Sequence, residues 1–252
     1  MPVNLLSHFP LQCDMADLDY LAWLLSVSYE PKLDGGGQIL APVFYKLLKD
    51  QKVKTIYEWC AGPSWIGLWL LHKGVCEELV VSDINPKAME HVKKTAKESS
   101  YPVRTYVSDN MKDIPSWEKF DIVVANPPNY VNIQTSHSVG RMREDLRPSD
   151  IDWKIHKDFY KNIGGYLKEN SKMYISEVGI NDKEIYLSGE GFYNNTKELY
   201  DVRERKPIED FKEMIKENNL VLDTVIPYTH MINQHWSEGN ELSMLKIGLK
   251  KQ

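Results

Sequence analysis

The run Phe120-Asp121-Ile122-Val123-Val124-Ala125 stops abruptly in Asn126-Pro127-Pro128, and this junction limits the possible folds more than any other feature of the chain. A short, nearly continuous apolar stretch reads as a strand buried on both faces, the kind found inside parallel sheets. Two prolines forbid its continuation, since neither has an N–H to give to a ladder and each holds the residue before it in extended geometry. The Asn126 side chain and the Asn126 and Pro127 carbonyls are thereby left as acceptors at a strand end, suited to a substrate NH2.

The remainder of the chain alternates strands and helices. Thr55 to Trp59 reads as a buried strand, and after the Gly62-Pro63 turn an apolar helix runs from Trp65 to Lys73. Leu79 to Asp83 makes a second strand, and Pro86 opens a helix to Lys97 with a lysine-rich outer face. Further strands are expected over 103–107 and 120–125, then a helix from about Pro148 to Lys168 and a strand from Lys172 to Val178. A helix over 207–219 precedes two closing strands, 220–228 and 241–249, as an antiparallel hairpin. This order predicts an α/β, Rossmann-like, doubly wound and mostly parallel sheet, with ligands at the carboxyl ends of its strands. Residues 1–50 stand outside that plan as a helical cap or lid with a Gly35-Gly36-Gly37 turn, before a domain over 51–252. Residues 179–206, rich in Tyr, Asn and charge, are expected as an insertion near the pocket.

Small residues in Glu58-Trp59-Cys60-Ala61-Gly62-Pro63-Ser64-Trp65-Ile66-Gly67 let a ligand approach backbone N–H groups at the start of a helix. Asp83, at the end of the next strand, can accept both hydroxyls of a ribose, a geometry that serves dinucleotides equally. Asp109 closes the third strand in the same way.

Over roughly residues 50–180 these features resemble class I S-adenosylmethionine-dependent N-methyltransferases of the Asn-Pro-Pro-Tyr type, which methylate glutamine amides in proteins and exocyclic amines of nucleobases. The resemblance implies a seven-stranded sheet and S-adenosyl-L-methionine as cofactor. It assigns Glu58, Cys60 and Gly62 to the methionine end, Asp83 and Ile84 to the ribose, and Asp109 and Asn110 to adenine, with Asn126 close by. Asn126 and Pro127 would orient the acceptor nitrogen, and Tyr130 would supply the aromatic partner. Two departures stand out. The family carries an aromatic residue directly after the second proline, where this chain has Asn129 with Tyr130 next, and the glycine turn lacks its third glycine, with Ser64 nearby and Gly67 one turn later. The N-terminal helical domain with which release-factor enzymes grip their substrate is not evident in the first 50 residues.

Composition narrows the rest. Cys13, Cys60 and Cys76 are too scattered for a disulfide framework, and the seven histidines show no metal-ligand spacing, so no metal is expected. Neither a signal peptide nor an apolar run long enough to span a bilayer is legible, which predicts a cytoplasmic, membrane-free protein. A formal charge of −5 favours a protein or small-molecule acceptor over bare nucleic acid. Arg141, Arg143 and Arg147 keep a phosphate contact open, although Glu144 and Asp145 between them suit a solvated helix start. Tyr29 and Gln38 are candidate lid contacts or parts of a plain turn. Tyr186, Phe192, Tyr193 and Tyr200 could form a substrate wall or simply pack, and His137 reads as a loop histidine near the Asn-Pro-Pro segment. Two other classes remain at this stage, a nicotinamide-dependent oxidoreductase and a catalytically silent nucleoside-binding module.

Overall fold

The computed structural model describes residues 15–27, 37–128, 150, 153–178, 208–231 and 242–250. Seven strands share one sheet: β1 (Val53–Trp59), β2 (Cys76–Asp83), β3 (Val103–Val107), β4 (Phe120–Ala125), β5 (Leu167–Val178), β6 (Leu220–Pro227) and β7 (Leu242–Leu249). Their order is β3-β2-β1-β4-β5-β7-β6. The first five run parallel, and β7 enters antiparallel between β5 and β6. The expected Rossmann-like, seven-stranded architecture with a closing antiparallel hairpin is therefore the one observed.

Helices α1 (Met15–Ser26), α2 (Gly37–Leu48), α3 (Trp65–His72) and α4 (Pro86–Glu98) precede β3, while α5 (Lys154–Ile163) precedes β5 and α6 (Ile208–Glu217) precedes β6. Strand residues alternate in direction, so the sheet feeds two cores. One joins Ile56, Leu79, Val81, Ile122 and Val124 to side chains of α1 to α4. The other joins Tyr57, Val80, Val123, Met173 and Ile175 to α5 and α6. In the first, Tyr20 and Trp23 of α1 pack on Trp69 of α3 with ring centroids 5.0 and 5.2 Å apart. The described part of the N-terminal segment thus belongs to a helical layer on one sheet face.

Element boundaries differ from the sequence expectation where charge disguised a strand. β2 starts at Cys76 rather than Leu79, because Glu78 pairs across the sheet with Thr55 and is held by Arg104 Nη1 at 2.9 Å. The helix expected to reach Lys168 ends at Ile163, where Gly164 and Gly165 enter a short 3-10 turn, and β5 already begins at Leu167. Its polar start is an irregularity against β4, stitched by Lys168 N donating to Ser171 Oγ and Ser171 Oγ donating to Phe120 O. Local pattern could not show those cross-strand partners.

Candidate active site

Trp59 and Ala125 are paired at the ends of β1 and β4, so Cys60 and Asn126 are the first residues to leave two neighbouring parallel strands. Strand order reverses between these two strands, which opens a crevice at their carboxyl ends. The next pair outward, Asp83 beside Val107, ends β2 and β3 on the same edge. Chain segments that are distant in sequence are thus delivered to one rim by topology alone.

The turn after β1 is held in an unusual backbone path. Cys60, Gly62 and Ser64 all have positive φ, at 51°, 50° and 61°. For the two non-glycine residues this conformation costs about 1–3 kcal/mol each and persists only when neighbours enforce it. Glu58, only 2% exposed, is the enforcing group. Its Oε2 accepts from Ser64 Oγ at 2.5 Å and from Gly67 N at 2.8 Å, joining the end of β1 to the first turn of α3. Ser64 therefore stands in for the missing third glycine. Gly67 is needed for a separate reason: a Cβ there would lie 2.5 Å from Glu58 Oε2 and 2.7 Å from Leu79 Cδ1. Burial pushes the Glu58 carboxyl up to about 8, against the lowering effect of those donors. Burial also drives the half-buried Cys60 thiol well up, with Asp83, Asp150 and Asp109 adding to it, so Cys60 is a neutral wall residue.

Asp83 closes the turn from the other side. Its Oδ2 accepts from Gly62 N and its Oδ1 from Asn85 N, both at 2.8 Å. Burial raises its carboxyl above the ordinary value while these backbone donors oppose the shift. A carboxylate has about four acceptor directions, and the Ile84 N–H also draws on this one, so acceptor capacity for a further donor remains. Beside it, Ile84 is 53% exposed and Val107 46% exposed, an apolar pair on a rim that is otherwise polar. Asp109 is half-exposed and bound at 2.5 Å to Lys112. Asn110, the other residue assigned to adenine, has its side chain engaged within the protein. With φ 55° its side chain is buried, its Oδ1 accepting from Trp59 Nε1 at 2.9 Å and its Nδ2 donating to Asp158 and to the Ile155 carbonyl. Its amide thus clamps α5 to β1.

Asn126 is half-buried and Pro127 buried at the mouth of the crevice. Asn129, Tyr130, His137, Arg141, Arg143 and Arg147 lie outside the described residues, as do Tyr29 and the expected insertion at 179–206. Gln38 sits in the first turn of α2. No group of three or more His, Cys, Asp or Glu side chains placed to hold a metal ion occurs among the described residues, and no described helix is long and apolar enough to cross a membrane.

The sequence reading missed one cluster. His156 is fully buried, with Nδ1 2.6 Å from Asp150 Oδ2 and Nε2 2.8 Å from Glu177 Oε1. Asp150 also caps α5, accepting from Ile155 N and His156 N. Burial lowers the imidazole, but Glu177 and Asp150 outweigh it and carry the ring up to about 9, so the ring is an imidazolium donating to both acids. The available signal was Glu177 itself, a charge near the end of the strand 172–178.

Residues 25–143 match the family model of the methyltransferase small domain. The chain is 32% identical over 132 residues to ribosomal RNA small subunit methyltransferase C of Actinobacillus pleuropneumoniae serotype 5b (strain L20), covering 52% of this chain and 38% of that protein. It is 25% identical over 169 residues to the release factor glutamine methyltransferase of Clostridium acetobutylicum, covering 62% and 58%. This chain thus spans less than two thirds of the length of both relatives. Among solved structures, an O-methyltransferase of a trans-AT PKS multienzyme from Brevibacillus brevis, in complex with S-adenosyl-L-homocysteine, superposes with TM-score 0.53 at 12% identity, covering 96% and 82%.

Proposed function

We propose that this chain is an S-adenosyl-L-methionine-dependent N-methyltransferase whose acceptor is a planar NH2 nitrogen, an amide or an aromatic amine. The observation that carries this reading is the convergence of the β1, β2, β3 and β4 carboxyl ends on one rim, with the turn of Cys60 to Ser64 and the Asn126-Pro127 exit leaving adjacent strands. Residues 25–143, the matched span, contain all of these features.

The rim fits the cofactor. Asp83 has acceptor capacity left for ribose hydroxyls, the exposed Ile84 and Val107 offer an apolar seat for adenine, and Asp109 can accept from its amino group. The turn from Cys60 to Ser64 leads into the N-terminal end of α3, where a carboxylate is welcome. When bound, the cofactor supplies an electrophilic methyl group on sulfur. The chain itself binds and aims. The Asn126 side-chain carbonyl and the Pro127 carbonyl accept the two N–H bonds of the acceptor, which turns the nitrogen lone pair toward the methyl position. Alignment of this sort is worth about 7–11 kcal/mol, enough to make a strong general base unnecessary. Proton loss from the nitrogen follows transfer.

A glutamine side-chain amide of a protein is the favoured acceptor, supported by the −5 charge of the chain and by a glutamine methyltransferase relative that matches 62% of it. A nucleobase amine in RNA is the second reading, supported by the 32% identity to the ribosomal RNA enzyme. Tritiated-methyl transfer to a purified release factor and to small-subunit ribosomal RNA separates the two, and S-adenosylhomocysteine against NAD in calorimetry tests the cofactor. Binding of NAD alone would overturn the proposal, and binding of S-adenosylhomocysteine without transfer to any peptide, RNA, DNA or metabolite pool would leave a silent module in its place.

A further inference from the structure

Buried ion clusters are costly to assemble and are often no more stabilising than apolar side chains of the same size, so one placed beside a working rim calls for an explanation other than stability. Asp150, His156 and Glu177 form such a cluster. The three side chains are at most 1% exposed and the ring is bridged at both nitrogens.

Its position relative to Asn126 follows from the register. β4 pairs with β5 through Ala125 and Ile175, whereas β5 runs on to Val178 with β7 on its far side. Two residues past the last β4 pair, Glu177 lies level with Pro127, in the stretch where β4 has left the sheet. Period-two alternation puts Glu177 on the same face as Met173 and Ile175, which is the face covered by α5. His156 on α5 grips Glu177 from below, and Asp150 fixes the first turn of α5 in the same step. Two further links tie α5 to the cofactor rim: Trp59 stacks on Phe159 with centroids 3.7 Å apart, and Asn110 bonds Asp158 and the Ile155 carbonyl.

We propose that the Asp150–His156–Glu177 cluster is a positioning device that sets the height of the Asn126-Pro127 acceptor platform against the cofactor rim, with His156 as its central positioning residue. This rests on the methyl-transfer reading above. The cluster touches neither substrate nor cofactor; it acts through β5 and α5. Loss of the ring's charge leaves two buried carboxylates facing each other across it, and the end of β5 shifts to relieve them. Among the described residues, the titratable groups facing the ring are Asp150 from the segment before α5, Glu177 from β5 and Tyr160 from α5, whose hydroxyl is itself pushed well up by burial. β1 and α6 present only the rings of Trp59 and Phe211 to it.

The test needs no acceptor in its first arm. The side-chain amide resonances of Asn126, assigned with the Asn126→Ala variant, are followed by NMR across pH together with the ring protons of His156. In the native protein both should move together with a midpoint near the ring's raised value of about 9. In the isosteric Glu177→Gln variant both midpoints should fall. Asn126 resonances that stay flat while the His156 ring titrates, or that are unaffected by Glu177→Gln, overturn the proposal. The second arm measures methyl transfer at pH 7 to the acceptor found above. Glu177→Gln should lower kcat about tenfold or more while S-adenosylhomocysteine affinity stays within about twofold, the scale expected for a support one layer behind a reacting group. A merely structural cluster would instead lower Tm and leave kcat of the folded fraction unchanged, which also overturns it. Absence of transfer or of cofactor binding in the native protein sinks the methyltransferase reading itself, and is distinguishable because the NMR arm does not depend on it.

Discussion

The two halves of the rim are built from different materials. On the proposed cofactor side, shape is held by backbone amides handed to carboxyl groups: Gly67 N to Glu58, Gly62 N and Asn85 N to Asp83. On the proposed acceptor side, the support lies in charged side chains paired in the core, with His156 between Asp150 and Glu177. The first is sensitive to added atoms and the second to altered charge. A binding surface made of backbone tolerates many side chains but few changes of volume, whereas one propped by ion pairs tolerates volume better than a lost proton.

The sharpest test of this division concerns the two groups at its centre. Asn126→Ala should lower methyl transfer about a hundred- to a thousand-fold, the usual cost of one oriented hydrogen-bonding group at a reacting centre, with S-adenosylhomocysteine affinity nearly intact. Asp83→Ala should show the converse in calorimetry, an affinity loss of about a hundredfold or more, because two hydroxyls lose a charged partner worth about 1.5–3 kcal/mol each. Equal losses of affinity in both variants would erase the boundary between the halves.

Next in size is a steric change. Gly67→Ala should cost about 1–3 kcal/mol of stability by pressing a methyl group onto Glu58 and Leu79, read as a lower urea midpoint with an unchanged slope. Asn110→Ala should cost about as much through the broken clamp on α5, yet leave S-adenosylhomocysteine affinity within about twofold. A large affinity loss there would instead support the adenine contact that the sequence suggested.

The smallest effect is in pH. Glu58 has its carboxyl raised by burial from 4.5 to about 8, so the folded state keeps a proton that the unfolded chain releases. Its favourable share is complete below about 4.5 and is lost as pH climbs through 8. His156 adds a second decline, present in full below 6.5 and lost as pH rises through about 9. Thermal melts of Glu58→Gln should therefore fall less steeply than the native protein between pH 5 and pH 8, and match its slope above that range. Parallel slopes throughout would show that Glu58 does not keep its proton.

Parts of the rim were legible because their cause is local. A strand that ends in Asn126-Pro127-Pro128 has to end there whatever surrounds it, and alternating apolar runs with short turns leave few alternatives to a parallel sheet. Asp83 at a strand end was readable for the same reason. The start of β5 was not, since Lys168, Glu169 and Asn170 look like a polar helix end until Phe120 lies alongside. Nor did the sequence carry any sign that Trp59 and Asp158 would claim the Asn110 side chain.

The chain by itself determined the element order, the strand ends and the acids that close them, because dihedral limits and hydrophobic period act within a few residues. Only the tertiary structure decided which polar groups are consumed in holding the frame and which stay available at the rim. Asn110 and His156 are of the first kind, and Asp109 keeps an exposed side at the rim. That choice depends on partners brought together from separate strands and helices, where desolvation penalises every polar atom left without one.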